Sequence, residues 1–219
     1  SGCRFFSCSS SSLLSKWHGE GEKILKALFR YAAEVSPSII FFDEIDALMS
    51  TRKSEEHEAS RRFKTEFMIQ VDGALSDRND GKVLILGCTN CPWDLDDAVT
   101  RRFQRRIYVP LPDEEARRFM LESLLEKNVN CIGKKDVGKL VKMTDGYSCS
   151  DLASVGREAA FGPLRDLGEM EAIKGASPKD LRPISYKDFK DAIDICNKSV
   201  SAGLLRRYDE WEREQSGGN

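Results

Sequence analysis

Residues 39–46 read Ile-Ile-Phe-Phe-Asp-Glu-Ile-Asp. The apolar run Ile39–Phe42 has the length of a strand, and its unbroken hydrophobicity predicts a parallel strand buried on both faces. Ligands of open parallel sheets bind at the carboxyl ends of the strands, so Asp43 and Glu44 are expected in a crevice. Asp43 can hold a magnesium ion, directly or through water, and Glu44 can orient and deprotonate an attacking water. The stretch predicts the acidic half of a phosphoryl-transfer site, with a solvated turn after a core strand as the alternative.

Three other stretches are strand candidates. Val83–Cys88 is apolar and leads to Asn90, just as Ile39–Phe42 leads to Asp43 and Glu44. Arg4–Cys8 and Ile107–Val109 are shorter candidates. Because parallel strands present their carboxyl ends at one edge of the sheet, the acids and the amide are expected at a shared site.

Helical periodicity appears between these strands. One helix is expected from Glu22 toward Pro37, and a second from Ala59 to Val71, where apolar residues recur every four positions. A short helix is expected near Leu95–Val99. Strands that alternate with helices predict an α/β domain with a parallel sheet.

The pattern changes after Pro110 and Pro112, which mark a rigid linker. Beyond the linker every strong signal is helical. The predicted helices are Glu114–Lys127, Lys135–Met143, Ser150–Phe161, Ser185–Cys196 and Ala202–Glu214. The chain is therefore predicted to form an α/β domain over residues 1–112 and a helical bundle over residues 113–219.

Composition narrows the classes of function. The 219 residues are 40% hydrophobic and 32% charged, with a formal net charge of -2, which suits a globular protein with a real core. A charge so near zero gives no general attraction to nucleic acid, and none is expected as a direct partner. No apolar segment has membrane-spanning length and no leader precedes the first strand, so an intracellular location is expected.

Seven cysteines are scattered along the chain, an odd number that fits a reducing cytosol or nucleus better than a disulfide framework. Cys88 and Cys91 have C-x-x-C spacing, but there is no second such pair, and the only histidines are His18 and His57. Because a structural zinc site needs four ligands, zinc is not expected. The pair is interpreted as two thiols at a strand end.

Four arginines follow the short helix, at positions 101, 102, 105 and 106. Such a cluster is typical of a solvated sheet edge that deters pairing with other strands. Alternatively, guanidinium groups at a subunit boundary can reach the phosphates of a neighbour.

Six ordered motifs resemble those of the AAA ATPases of the meiotic clade, and within that clade the spastin and fidgetin-like microtubule-severing enzymes. They lie at Ser15–Lys23, Ile39–Asp46, Glu56–Arg62, Thr89–Asn90, Arg101–Phe103 and Asp145–Leu152. The similarity covers essentially the whole chain. It implies an AAA+ parallel sheet flanked by helices, a C-terminal helical-bundle subdomain, and ATP hydrolysis with Mg²⁺ in a homohexameric ring that pulls on a protein polymer.

The resemblance also implies roles for single residues. Asp43 and Glu44 match the metal-associated and the catalytic carboxylates of the Walker B motif. Asn90 matches the sensor that holds the attacking water near the terminal phosphate. Arg101 and Arg102 match arginine fingers that enter the site of the adjacent subunit, and such fingers are worth roughly 10³ to 10⁵ in rate.

Substrate contacts follow from the same resemblance. Lys16, Trp17 and His18 match a first pore loop whose aromatic grips a threaded polypeptide, and His57 lies in what resembles the second pore loop. In the severing enzymes the polypeptide is the glutamate-rich tail of tubulin, which rings of lysine and histidine would attract. This implies a cytoplasmic, cytoskeleton-associated location, with the nucleus as the alternative.

The chain departs from the family pattern at three points. Cys91 stands where an arginine usually follows the sensor asparagine. Cys149 replaces a glycine close to where the base and ribose would lie, next to Ser150 in the same nucleotide-contacting motif, so a side chain now intrudes there. No G-x-x-x-x-G-K-[ST] occurs in the sequence, and the phosphate-loop strand is absent. We therefore expect a fragment of a longer ATPase that is inactive alone.

Two alternatives to microtubule severing stay open. The first is disassembly of membrane-remodelling filaments of the ESCRT-III type. The compact segment Pro163–Pro183 favours severing over this function. The second is a non-hydrolysing AAA assembly subunit, favoured by the missing phosphate loop together with Cys91 and Cys149.

Overall fold

The computed structural model describes residues 2–9, 21–50, 58–75, 82–168 and 181–216. The chain divides into two compact units, Ser1–Ile107 and Tyr108–Asn219. The division falls just before the linker that Pro110 and Pro112 predict.

A three-stranded parallel sheet forms the centre of the first unit. Its strands are β1 (Arg4–Ser9), β2 (Ser38–Asp43) and β3 (Val83–Gly87), in the order β1-β2-β3. The acidic strand β2 is therefore the central one, and its Ile39 pairs with Phe5 on one side and Leu84 on the other. The predicted α/β class is confirmed.

Helices connect the strands of this unit. They are α1 (Gly21–Glu34), α2 (Ile45–Met49), α3 (Glu58–Leu75) and α4 (Asp97–Thr100), with a 3₁₀ turn at Pro92–Asp94. Helix α2 was not predicted from the sequence, because its five residues are too few for helical periodicity to show.

Aromatic packing joins the helices to the sheet. The ring of Phe42 on β2 stacks against Phe29 of α1, with centroids 6.3 Å apart, and meets Phe67 of α3 edge-on at 5.2 Å. Phe42 and Ile40 are fully buried on this face. The core therefore anchors β2 directly before its acidic end.

The opposite face of the sheet corrects a prediction. Phe5, Leu84 and Leu86 are 60%, 57% and 44% exposed there, and Ile39 and Phe41 are only partly buried. Strand β2 is therefore not buried on both faces, because the residues of the first core cluster, on α1 to α4, pack with Ile40 and Phe42 on one side. An apolar run shows that a strand is hydrophobic, but it does not show how many layers cover it.

The strand predicted at Ile107–Val109 is also wrong. These residues have no regular secondary structure, and the side chains of Ile107 and Val109 are each 81% exposed. A strand needs a neighbour that satisfies its backbone groups. Within the described residues, the sheet consists of β1, β2 and β3 and offers this segment no partner.

The second unit is helical, as predicted. Its helices are α5 (Glu114–Glu126), α6 (Lys134–Met143), α7 (Cys149–Ala160), α8 (Gly162–Arg165), α9 (Tyr186–Ile195) and α10 (Ala202–Ser216). Leu121, Leu140 and Leu152, from three different helices, meet in a core that is closed to water. No helix in the described part of either unit is long and apolar enough to cross a membrane.

An ion-pair network closes one corner of this unit. Asp188 on α9 accepts two hydrogen bonds from the guanidinium of Arg182, at 2.7 and 2.8 Å, and two more from the N–H and hydroxyl of Ser185. Arg182 also donates to Asp166. Gly162 lies against this carboxylate, where an added Cβ would be 2.2 Å from an oxygen of Asp188. The network thus depends on a residue without a side chain.

Candidate functional site

The carboxyl end of β2 presents two acidic side chains to solvent. Asp43 is the last residue of the strand, and Glu44 precedes α2; both are exposed, whereas Ile45 is buried. Glu44 has left-handed backbone angles, φ 50° and ψ 48°. Left-handed backbone angles cost an L-residue roughly 1–2 kcal/mol, so the backbone is strained at Glu44, where the chain leaves the strand.

The carboxyl end of β3 is hydrogen-bonded to that exit. The N–H of Cys88 donates to the carbonyl of Phe42 at 2.9 Å, and the N–H of Ile45 donates to the carbonyl of Cys88 at 3.0 Å. Gly87 permits this approach, because an added Cβ would lie 3.1 Å from the side chain of Ile45. These hydrogen bonds therefore fix the position of the loop after β3 relative to the loop after β2.

Thr89 and Asp46 form a side-chain link between the same two loops. The hydroxyl of Thr89 donates to Asp46 Oδ1 at 2.5 Å and accepts the N–H of Cys91 at 2.9 Å. The next residue, Asn90, is exposed. The structure thus brings the loop that carries Asn90 beside the loop that carries the acids. Both motifs were visible in the sequence, but nothing in it indicated that Thr89 and Asp46 bind each other.

Arg101 and Arg102 follow α4, which Asp96 caps by accepting the N–H of Ala98. Their environments differ. Arg101 is exposed, whereas Arg102 donates twice to Asp72 on α3 and once to the carbonyl of Ala98, each at 2.7 Å. The hydrogen bonds with Asp72 raise the pKa of Arg102 above its ordinary value. Arg102 is therefore hydrogen-bonded within its own chain, and Arg101 is exposed; the roles of both as arginine fingers stay predictions.

The side chains at this edge of the sheet provide only part of a magnesium site. Magnesium uses one or two carboxylates together with waters and substrate phosphates, and the exposed carboxylate of Asp43 fits that role. Among the described residues, no group of three His, Cys, Asp or Glu side chains could hold a metal without such help. The sequence contains no G-x-x-x-x-G-K-[ST] to cradle phosphates. These residues fit the hydrolytic half of a nucleotide site and not the phosphate-binding half.

Cys149 and Ser150 lie in the second unit, both exposed, at the start of α7. Ser148 caps this helix by accepting the N–H of Asp151, whose carboxylate accepts the N–H of Ser148 in return. Desolvation opposes the charge of Asp151, but the hydrogen bonds from Ser148 and Ser199 lower its pKa. The helix start is therefore rigid, and its contact with a nucleotide stays a prediction.

The remaining predicted site residues lie outside the described part of the chain. They are Lys16, Trp17, His18 and His57. Their roles as pore-loop contacts also stay predictions.

Comparison with known proteins identifies relatives over the whole chain. Spastin from Danio rerio is 47% identical over 214 residues, which cover 98% of this chain and 37% of the relative. Spastin from Homo sapiens is 46% identical over 214 residues, covering 98% of this chain and 34% of the relative. The chain thus spans about a third of the length of the curated relatives it matches.

Solved structures agree with the fold. The crystal structure of the FIGL-1 AAA domain has a TM-score of 0.86 and 41% identity, and the match covers 95% of this chain and 67% of that chain. The same domain in complex with ADP matches with a TM-score of 0.86 over 95% of this chain and 68% of that chain.

Both units match families. Residues 135–176 match the AAA+ lid domain. Residues 1–111 match the ATPase family associated with various cellular activities, AAA. Together with the parallel sheet and the acidic strand end, these matches show that the chain belongs to the AAA family of ATPases.

Proposed function

We propose that this chain carries the hydrolytic residues and the lid of an ATPase that works as a ring and severs microtubules. One observation supports this more than any other. The loop with Asn90 is hydrogen-bonded, through Cys88 and Thr89, to the loop with Asp43 and Glu44. A site that activates water needs its acid, base and amide at defined separations, because hydrolysis of a phosphoanhydride depends on positioning.

Each residue at this edge has a separate task in the proposal. Asp43 holds the magnesium ion of the nucleotide. Glu44 orients the attacking water and takes its proton, and the amide of Asn90 holds the same water. ATP and Mg²⁺, when bound, supply the anhydride bond and neutralise the charge of its phosphates. The left-handed backbone at Glu44 turns the chain sharply at the proposed base.

Arg101 is the proposed finger toward the neighbouring subunit. It is exposed, whereas Arg102 beside it is hydrogen-bonded to Asp72 on the same chain. Because the finger acts across a subunit boundary, an isolated subunit is expected to be nearly idle. We propose a homohexamer on this ground and on the similarity to spastin.

The proposed substrate is the acidic tail of tubulin. Lys16, Trp17, His18 and His57 would contact it in the pore, where cationic and aromatic side chains suit a glutamate-rich polypeptide. The proposed location is cytoplasmic, at microtubules. The similarity to spastin supports this assignment over the disassembly of membrane-remodelling filaments.

The natural protein at full length tests the function. With ATP it is expected to shorten stabilised microtubules, and Glu44→Gln is expected to bind ATP while its turnover falls by about 10² to 10⁴. The control is Asp191→Asn, an exposed substitution on α9, which should sever normally. If the protein left microtubules intact but disassembled membrane-remodelling filaments, those filaments would replace tubulin as the proposed substrate. Normal turnover of Glu44→Gln would remove Glu44 from its role.

The 219 residues alone are expected to bind ATP poorly, because the sequence has no G-x-x-x-x-G-K-[ST] whose amides and lysine would hold the triphosphate. Calorimetry checks this. Micromolar affinity for ATP in the isolated chain would show that residues other than a phosphate loop bind the nucleotide.

A second candidate function is a non-hydrolysing subunit within an AAA ring. The missing G-x-x-x-x-G-K-[ST] favours it, as do Cys91 and Cys149 at positions where the resemblance implies other residues. The set Asp43, Glu44, Asn90 and Arg101 argues against it, because a scaffold needs none of these groups. Turnover by the full-length protein that Glu44→Gln abolishes would exclude this candidate.

A further inference from the structure

Two cysteines flank the candidate residue Asn90. Cys88 directly follows β3 and is exposed, and Cys91 is half-buried and directly precedes the 3₁₀ turn Pro92–Asp94. The chain bends at Asn90 between them. Neither sulfur is part of a disulfide in the structure.

The setting of this pair is that of a redox-active dithiol. A C-x-x-C beside a β-α-β pattern is typical of cysteines that exchange between thiol and disulfide. A metal does not compete for these thiols in the described residues, since no third ligand lies with them. The chain curves at Asn90 with only two residues between the cysteines, and a disulfide requires their Cα atoms to lie about 4.4–6.8 Å apart.

The other cysteines of the first unit are less suited to this chemistry. Cys3 and Cys8 are five residues apart along extended chain, which separates their Cα atoms by roughly 17 Å. Cys8 is also buried, and its burial raises the pKa of its thiol, which disfavours the reactive thiolate.

We propose that Cys88 and Cys91 form an oxidisable pair that a hydroperoxide converts to a disulfide. The thiolate of one cysteine attacks a peroxide oxygen; the O–O bond breaks, a sulfenic acid forms, and the leaving oxygen departs as water or an alcohol. The second thiolate then attacks the sulfenic sulfur, the S–S bond forms, and the sulfenic oxygen leaves as water. Two electrons pass from the sulfurs to the peroxide, and the protons of both thiols end in the two released molecules.

Closure of this disulfide acts on Asn90 through the chain itself. Thr89 and Asn90 lie inside the ring that the disulfide closes, so closure is expected to change their backbone angles. It is expected to break the hydrogen bond from the N–H of Cys91 to the hydroxyl of Thr89 and to weaken the bond from that hydroxyl to Asp46. Oxidation is therefore expected to misplace Asn90 and slow hydrolysis reversibly. This consequence rests on the proposed function, whereas the dithiol chemistry does not.

Peptide mapping of the 219-residue chain tests the chemistry without any activity. The chain is treated with hydrogen peroxide, blocked with N-ethylmaleimide and cleaved after Lys82 and Arg101, which leaves both cysteines in one peptide. That peptide is expected to be about 2 Da lighter and unlabelled, and dithiothreitol is expected to restore two labels. Cys88→Ser and Cys91→Ser should each abolish the mass loss, and the exposed control Cys131→Ser should retain it.

Two results would overturn the dithiol. One is a peptide that gains oxygen as sulfinic acid without losing 2 Da, and the other is a cross-link from Cys88 or Cys91 to a different cysteine. Hydrogen exchange gives a second readout, in which oxidation is expected to speed exchange at the amide of Cys91; unchanged exchange would overturn the effect on the loop.

Turnover of the full-length protein separates the two proposals. Regulation is supported if peroxide lowers the turnover, dithiothreitol restores it, and the Cys91→Ser variant keeps its turnover in peroxide. Disulfide formation with unchanged turnover would overturn regulation and leave the chemistry intact. A fully reduced protein without turnover would instead contradict the proposed function.

Discussion

The guanidinium of Arg102 binds both carboxylate oxygens of Asp72, at 2.7 Å from Nε and 2.7 Å from Nη2. The pair joins the end of α4 to the last turns of α3 across thirty positions of sequence. Because both contacts are charge-assisted and share one plane, they define the orientation of the guanidinium as well as its position. Arg101, the next residue toward the N-terminus, is exposed.

Replacing Arg102 by lysine is expected to lower the free energy of unfolding by about 1 kcal/mol. Lysine keeps the charge but cannot make the planar pair of hydrogen bonds, and the partly exposed setting limits the loss. Arg101→Lys is the matched control and should leave stability nearly unchanged, since Arg101 is exposed. Urea unfolding of both variants measures the difference. Equal losses in the two variants would show that the contact with Asp72 does not stabilise this unit.

Two substitutions at Glu44 are expected to separate strain from catalysis. Glu44→Gly relieves the left-handed backbone and should raise the free energy of unfolding by about 0.5–1 kcal/mol, while Glu44→Gln should change it by less than about 0.5 kcal/mol. Both should lower ATP turnover of the full-length protein by about 10² to 10⁴. Denaturant titration and a phosphate-release assay give the two quantities. A less stable Glu44→Gly would mean that the left-handed conformation is not strained.

Thr89 is expected to position Asn90 rather than to contact substrate. Thr89→Val keeps the shape but removes the hydroxyl that binds Asp46, and it should lower kcat about tenfold or more with little change in KM. Thr89→Ser restores a hydroxyl and should recover most of the rate. Steady-state kinetics of the full-length protein provides the comparison. A rise in KM alone would instead place Thr89 in substrate binding.

The second unit is expected to lose stability in acid through Asp188. The hydrogen bonds from Arg182 hold the pKa of Asp188 well below its usual range, so the folded state binds a proton less readily than the unfolded state. The stabilisation is therefore complete above the unfolded value, about 3.9, and is lost as the pH falls through the lower folded value. Unfolding in urea between pH 7 and pH 2 should show this decline.

Asp188→Asn provides the test of that assignment. It is expected to cost about 2–4 kcal/mol at pH 7, because Arg182 and Ser185 lose a charged acceptor, and to flatten the acid dependence. The exposed control Asp191→Asn should leave the acid dependence in place. An unchanged acid profile in Asp188→Asn would assign the acid sensitivity to other carboxylates.

Two glycines are expected to respond in opposite directions to alanine. Gly162→Ala places a methyl group 2.2 Å from a carboxylate oxygen of Asp188 and should destabilise the chain by about 1–3 kcal/mol. Gly138 lies inside α6 with nothing within 4 Å of an added Cβ, so Gly138→Ala should stabilise by about 0.5–1 kcal/mol. Thermal unfolding ranks the two variants. A neutral Gly162→Ala would show that the Asp188 network can shift aside.

Local sequence patterns were sufficient to predict much of this fold. Five of the six described helices of the second unit were predicted with ends displaced by at most two residues, because apolar spacing and capping residues act within one or two turns; the four-residue helix α8 was missed. The rule that parallel strands share a carboxyl edge likewise predicted that the loop of Asn90 would lie beside Asp43 and Glu44.

The errors and omissions have non-local causes. Thr89 and Asp46 are 43 positions apart, and Arg102 and Asp72 are 30 apart, so no periodicity signals either contact. The exit at Glu44 carries neither glycine nor asparagine to indicate a left-handed turn. The segment Ile107–Val109 has the composition of a strand, yet composition cannot supply the neighbour with which a strand must pair.

The open side of the sheet, with Phe5, Leu84 and Leu86 in contact with water, also affects how the isolated chain behaves in solution. Contiguous apolar surface of this kind promotes association between copies, and the outer edge of a strand such as β3 can template intermolecular pairing. Self-association is therefore expected to increase with protein concentration. Leu84→Lys, on the β3 side of this surface, should improve solubility without disturbing the buried core around Phe42.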